Sequence, residues 1–181
     1  MKKRKNRVDY KWAAWVLILT FVISISLSGI FTSLSTLGIV LSLCLLFTFI
    51  ALGILFDMLG TAVTSCPEAP FHSMATRRVK GAKESIWLIR NNEKTANFCN
   101  DIIGDITSIV SGTTAVMIAG NLSEFFPFIS ITALQIVVTG IVAGLTVGGK
   151  SIGKNIGINK DKEIMTFVGR VMHIAGIKKE I

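Results

Sequence analysis

NFCNDIIGDITSIVSG, residues Asn97 to Gly112, reads as the start of an apolar helix that carries two carboxylates. At about 100° per residue, Asn97, Asp101, Gly104, Asp105, Ser108, Ser111 and Gly112 fall on one side. Ala115 and Ala119 continue that side as a seam of small residues, and Ile102, Ile103, Ile106, Ile109 and Val110 take the rest. A surface helix of a soluble protein has a more polar outer face, so the pattern predicts a membrane span with one polar stripe. Ionisable groups at membrane depth are costly and face a cavity, a partner or an ion path. The plainer alternative sets Asp101 and Asp105 at the headgroup level, as a solvated helix start.

The whole chain supports the membrane reading. Of 181 residues 51% are hydrophobic and 17% charged, too apolar for an ordinary soluble domain. The net charge of +8 is gathered in blocks that flank apolar runs, as cytoplasmic loops do. No aromatic-interleaved basic patch points to nucleic acid. Cys44, Cys66 and Cys99 are scattered and form neither a disulfide framework nor a zinc motif.

The first block holds Lys2, Lys3, Arg4, Lys5, Arg7 and Lys11, and the apolar run Trp12 to Phe31 follows. A signal peptide also starts this way, but its apolar core is only ~7–15 residues, so an uncleaved span is favoured. Trp12 and Trp15 suit an aromatic belt. TSLSTLG, from Thr32 to Gly38, breaks the run, and a second span is expected from Ile39 to Leu59 with Asp57 near its end. Pro67 and Pro70 then interrupt the helix beside Ser65 and Glu68.

His72 to Lys94 is too charged to span and reads as one or two amphipathic surface helices hinged near Gly81. A third span is expected from Cys99 to Ala119, an outer turn from Asn121 to Pro127, and a fourth span from Phe128 to Gly148. Gly140, Gly144 and Gly148 recur at spacing four and predict a close helix–helix face. Gln135, Thr139, Ala143, Thr146 and Lys150 form a second polar stripe, suited to an ion path or to ordinary interhelical hydrogen bonds. A last amphipathic segment covers Ile164 to Ile177. The expected fold is all-α: four transmembrane helices with amphipathic juxtamembrane helices. Three basic blocks on one side put both termini in the cytoplasm of a multi-pass cytoplasmic-membrane protein.

These residues carry a family resemblance. Ser65-Cys66-Pro67-Glu68 looks like the Ser-x-Ser-Glu-type helix break of the CorC/CNNM-type magnesium and cobalt transporters. Cys99-Asn100-Asp101 is similar to that family's Gly-Asn-Asn/Thr helix head, and Gly149 to Lys154 stands where it has Gly-Glu-x-x-Pro-Lys. The resemblance covers residues 39–181, and the basic tail and extra helix of 1–38 lie outside it. It implies a bound or transported magnesium ion, possibly cobalt; Ser65, Glu68, Asn100, Asp101 and Asp105 supply oxygens suited to a hard cation near the inner face, Asp101 and Asp105 as extra carboxylates able to offset Lys150. Two positions depart from the family: Lys150 replaces its acid and Gly153 its proline. The family's regulatory cystathionine-synthase-type domains are not expected here.

The leading expectation is divalent-cation transport through that oxygen-lined site. The alternative is a non-transporting membrane scaffold, sensor or partner subunit, with Lys150 paired to Asp101. The lipid bilayer, a homodimer through the glycine face and a separate regulatory subunit are the expected partners. An enzyme is not expected: aspartyl proteolysis needs paired carboxylates, and Ile102-Ile103-Gly104-Asp105 lacks the first glycine of a Gly-x-Gly-Asp motif.

Overall fold

The computed structural model describes residues 10–33 and 38–177. The basic start through Asp9, the side chain of Trp12, the centre of the break at 34–37, and Lys178 and Lys179 lie outside the described residues. Every regular element among the described residues is helical. In chain order they are α1 (Tyr10–Ser33), α2 (Ile39–Ser65), α3 (Ala69–Thr76), α4 (Ala82–Arg90), α5 (Asn92–Asn97), a π-helical stretch (Phe98–Ile103), α6 (Gly104–Phe125), α7 (Ile131–Asn159) and α8 (Asp161–Ile174).

Three runs are long and apolar enough to cross a bilayer: Ile39–Ser65, Asn92–Phe125 and Ile131–Asn159. The 27 residues of α2 reach about 40 Å at 1.5 Å per residue, more than a ~30 Å hydrocarbon core needs. A shorter apolar stretch, Ala14–Leu27, lies within α1.

Several boundaries differ from the expected ones for local reasons. Nothing between Asn121 and Glu124 breaks a helix, so α6 runs on to Phe125. Phe126 precedes Pro127 and leaves the helical region, at φ −125° and ψ 67°. Ser130 then opens α7 by accepting a hydrogen bond from the Ala133 amide at 3.3 Å. That helix continues past Gly148 to Asn159, and α2 continues past Leu59 to Ser65. The basic middle segment contains α3 and α4, with Gly81 at φ +90° between them, a conformation that favours glycine.

α2, α6 and α7 pack against one another, and α1 lies on α6. Leu46, Ile50, Ala115, Ile118 and Val142 form the apolar centre of the three-helix contact. Ile102, Ile106 and Val110 take Val16, Ile23 and Leu27 of α1. At the Ser65 end of α2 a second core gathers Val63, Phe71, Ile86, Leu88, Ile89 and Met165. It is closed by the contact between α4 and α8. Ser85 Oγ lies 2.8 Å from the Met165 carbonyl, and Glu84 Oε1 lies 2.8 Å from His173 Nδ1. Most of the apolar surface of α7 is uncovered, with Ile136, Val137, Ile141, Leu145 and Val147 exposed.

Candidate functional site

The buried line of α2 passes through Ser42, Leu46, Ile50, Gly53, Asp57 and Gly60. Gly53 and Gly60 sit one turn to either side of Asp57, and each admits a polar group from the neighbouring run. A Cβ at Gly53 would come within 2.7 Å of Thr107 Oγ1 and 3.8 Å of Lys150 Cε. A Cβ at Gly60 would overlap the side-chain amide of Asn100. Asp57 between them is only 4% exposed. Its Oδ2 accepts no hydrogen bond and lies 3.6 Å from Lys154 Nζ. Asn100 Oδ1 is likewise buried and without a donor.

α7 approaches this line through Gly149, Gly153 and Gly157. A Cβ at Gly153 would stand 3.3 Å from the Ile54 carbonyl, and one at Gly157 2.7 Å from that of Met58. The glycines bring backbone to backbone and set Lys150 and Lys154 beside the contact. Lys150 Nζ donates to the Gly104 carbonyl at 3.2 Å and to Ser108 Oγ at 3.0 Å. The same carbonyl accepts from Ser108 Oγ at 2.7 Å and from Thr107 Oγ1 at 3.0 Å. Ser108 thus gives its proton to Gly104 and its lone pair to the ammonium. Gly104 is the first residue after the π-helical stretch, where the regular i→i−4 ladder is interrupted.

That stretch also separates the expected polar stripe. Gly104, Ser111, Ala115 and Ala119 are buried, while Asp101 and Asp105 are exposed. Asp101 lies inside the π turn, across which a single 100° wheel does not hold, and Asp105 stands at the edge of the stripe, about 100° around α6 from Gly104. The expected pairing of Lys150 with Asp101 is replaced by the Gly104 carbonyl and the Ser108 hydroxyl.

Two further expected ligands, Ser65 and Glu68, stand at the end of α2 and just beyond it. Ser65 is exposed at the end of α2. Glu68 receives Arg90 Nε at 2.6 Å and lies 2.8 Å from His72 Nε2. The Arg90 hydrogen bond, with help from His72, holds the Glu68 carboxyl below the usual carboxylate range. Among the described residues no group of three or more His, Cys, Asp or Glu side chains could hold a metal ion. Gly140, Gly144 and Gly148 meet nothing within 4 Å and leave their face open. Burial, with a smaller contribution from Asp161, pushes the Cys66 thiol up to about 11, so it stays protonated at neutral pH.

Two participants escaped the sequence reading. Asp57 stood out only as a charge near a helix end, yet its flanking Gly53 and Gly60 were a usable signal. Lys154 stood out only as the end of the Gly149 to Lys154 motif, and its pairing did not, because its partner lies two spans away. No protein-family model, curated protein or solved structure matches the chain.

Proposed function

We propose that this protein is a non-transporting membrane scaffold or partner subunit whose polar seam is closed by its own lysine. The proposed topology is four spans in the cytoplasmic membrane with both termini cytoplasmic, and α3, α4 and α8 at the inner surface. The observation that carries the reading is Lys150 Nζ seated on the Gly104 carbonyl and Ser108 hydroxyl. A cation-conducting seam offers such oxygens to a dehydrated ion. Here a tethered ammonium takes them, and α7 is fixed to α6 by that contact. The CorC/CNNM resemblance fits as a divergent relationship: Lys150 stands at the family's acidic position and supplies positive charge where the family holds magnesium. The open Gly140, Gly144 and Gly148 face suits a second copy or a separate subunit.

A second reading, magnesium or cobalt transport, is favoured by the two buried acceptors without donors, Asp57 Oδ2 and Asn100 Oδ1. Purified protein in liposomes loaded with a magnesium indicator separates the two. The scaffold reading expects magnesium entry no faster than in empty liposomes. Entry that is faster, and that Asp57→Asn abolishes, would replace it by the transport reading. Labelling of introduced cysteines tests the topology: position 122 should react from outside, and position 83 only after permeabilisation. Outside labelling at 83 would overturn it.

A further inference from the structure

Beside the seam, on the far side of α2, an apolar groove of about 530 Å³ runs between α2 and α8. Leu55, Met58 and Leu59 form one wall and Ile164, Val168 and Val171 the other. The lining is almost entirely carbon, and the volume falls in the range of about 300–1,000 Å³ common for small-molecule sites. Two lining residues, Glu163 and Phe167, are shared with a second depression whose other walls are Lys162, Thr166 and Arg170. Glu163 and Phe167 thus border both the apolar groove and a shallow basic depression on the surface of α8.

Helical spacing explains the order. Lys162, Thr166 and Arg170 lie four residues apart on one line of α8, and Glu163 and Phe167 on the next. Ile164, Val168 and Val171 then turn toward α2. The surface of α8 thus grades from cations, through an exposed phenyl ring, to hydrocarbon. Leu55 and Leu59 lie ten and six residues before Ser65, about 15 and 9 Å along the helix from its end. A molecule filling both depressions needs an anionic head and, roughly that far beneath it, an apolar tail.

We propose that this composite site binds one anionic glycerophospholipid of the inner leaflet, with an acyl chain in the groove and its phosphate on Lys162 and Arg170. Charge selects the head. Two cations against the Glu163 carboxylate leave one positive charge, which a monoanionic phosphodiester neutralises and a zwitterionic head does not. Shape selects the tail, since a groove walled on two sides takes a chain that would otherwise lie in bulk lipid. The site stands whether or not the seam conducts ions.

The test is lipid retention by native mass spectrometry of the whole chain in mild detergent. Phosphatidylglycerol and phosphatidylcholine with matched acyl chains are offered after delipidation. The wild type should keep one phosphatidylglycerol per chain, preferred about tenfold over phosphatidylcholine. The Lys162→Gln/Arg170→Gln variant changes only exposed side chains and should lose that preference while still retaining phosphatidylcholine. Val171→Trp narrows the groove and should lower retention of both lipids. Arg77→Gln/Lys80→Gln removes the same charge elsewhere and should leave the preference intact. Equal retention of the two lipids by the wild type, a preference that survives the α8 double variant, unaltered retention in Val171→Trp, or an equal loss in the Arg77/Lys80 control would each overturn the proposal.

Discussion

The seam between α2, α6 and α7 and the cap formed by α4 and α8 are both close contacts built on glycine, yet they treat buried polar atoms differently. In the cap, Glu84 meets His173 and the Ser85 hydroxyl lies within reach of the Gly81 and Met165 carbonyls. In the seam, Asp57 Oδ2 and Asn100 Oδ1 have no donors, and a single lysine bridges α7 to α6. Satisfied buried groups fix one arrangement, whereas unsatisfied ones cost stability and are kept for another reason. The cap should therefore tolerate substitution less well than the seam.

The sharpest way to break the comparison is at Gly81. Its φ of +90° is strained for any other residue, and a Cβ there would come within 2.5 Å of the Arg170 amide nitrogen. Gly81→Ala should cost about 3 kcal/mol or more, read as the unfolding free energy in detergent. An unchanged value would mean that α4 and α8 separate easily and the cap is not rigid. Ser85→Ala should cost less, about 1 kcal/mol, because one buried hydrogen bond is lost.

The seam should answer in the opposite sense. Asp57→Asn removes a buried charge whose ionic neighbour, Lys154 at 3.6 Å, is itself half exposed. Its unfolding free energy should stay within about 1 kcal/mol of the wild type or rise, since a poorly satisfied buried charge adds little. A loss as large as that of Gly81→Ala would show that the seam is as structural as the cap.

The smallest effect belongs to Glu68, at the surface beside both regions. Its carboxyl is held low by Arg90 and His72, so the folded state binds a proton less readily than the unfolded chain. That contribution is present above the unfolded carboxylate range and lost as the pH falls through the lowered folded value. The unfolding midpoint of Glu68→Gln should lie slightly below the wild type at neutral pH and match it in strong acid. A gap that widens in acid would reverse the assignment.

Hydrophobic runs and breakers announced much of this architecture. Three of the expected spans correspond to helical runs of sufficient length and apolarity, and the turn at Gly81 follows from its place between two amphipathic patterns. The contents of the seam were harder to read. Gly140, Gly144 and Gly148 share their spacing with Gly149, Gly153 and Gly157, and only packing against Ile54 and Met58 selects the second set. The π-helical stretch left no mark in the pattern of NFCNDIIGDI, yet Asp101 within it lies exposed where a regular wheel set it beside the buried seam. Pairing of Asp57 with Lys154 depends on how two spans meet, which local periodicity does not encode.

In the proposed scaffold the Lys150 ammonium occupies the oxygens that a cation would need. Thermal unfolding in detergent of the wild type and of Lys150→Met, each with and without millimolar magnesium, tests it directly. The wild-type midpoint should not respond to magnesium. Lys150→Met should unfold at lower temperature, because the Gly104 carbonyl and Ser108 lose a charged donor, at a cost of about 1–3 kcal/mol. A wild-type midpoint that rises with magnesium, or a Lys150→Met variant as stable as the wild type, would contradict it.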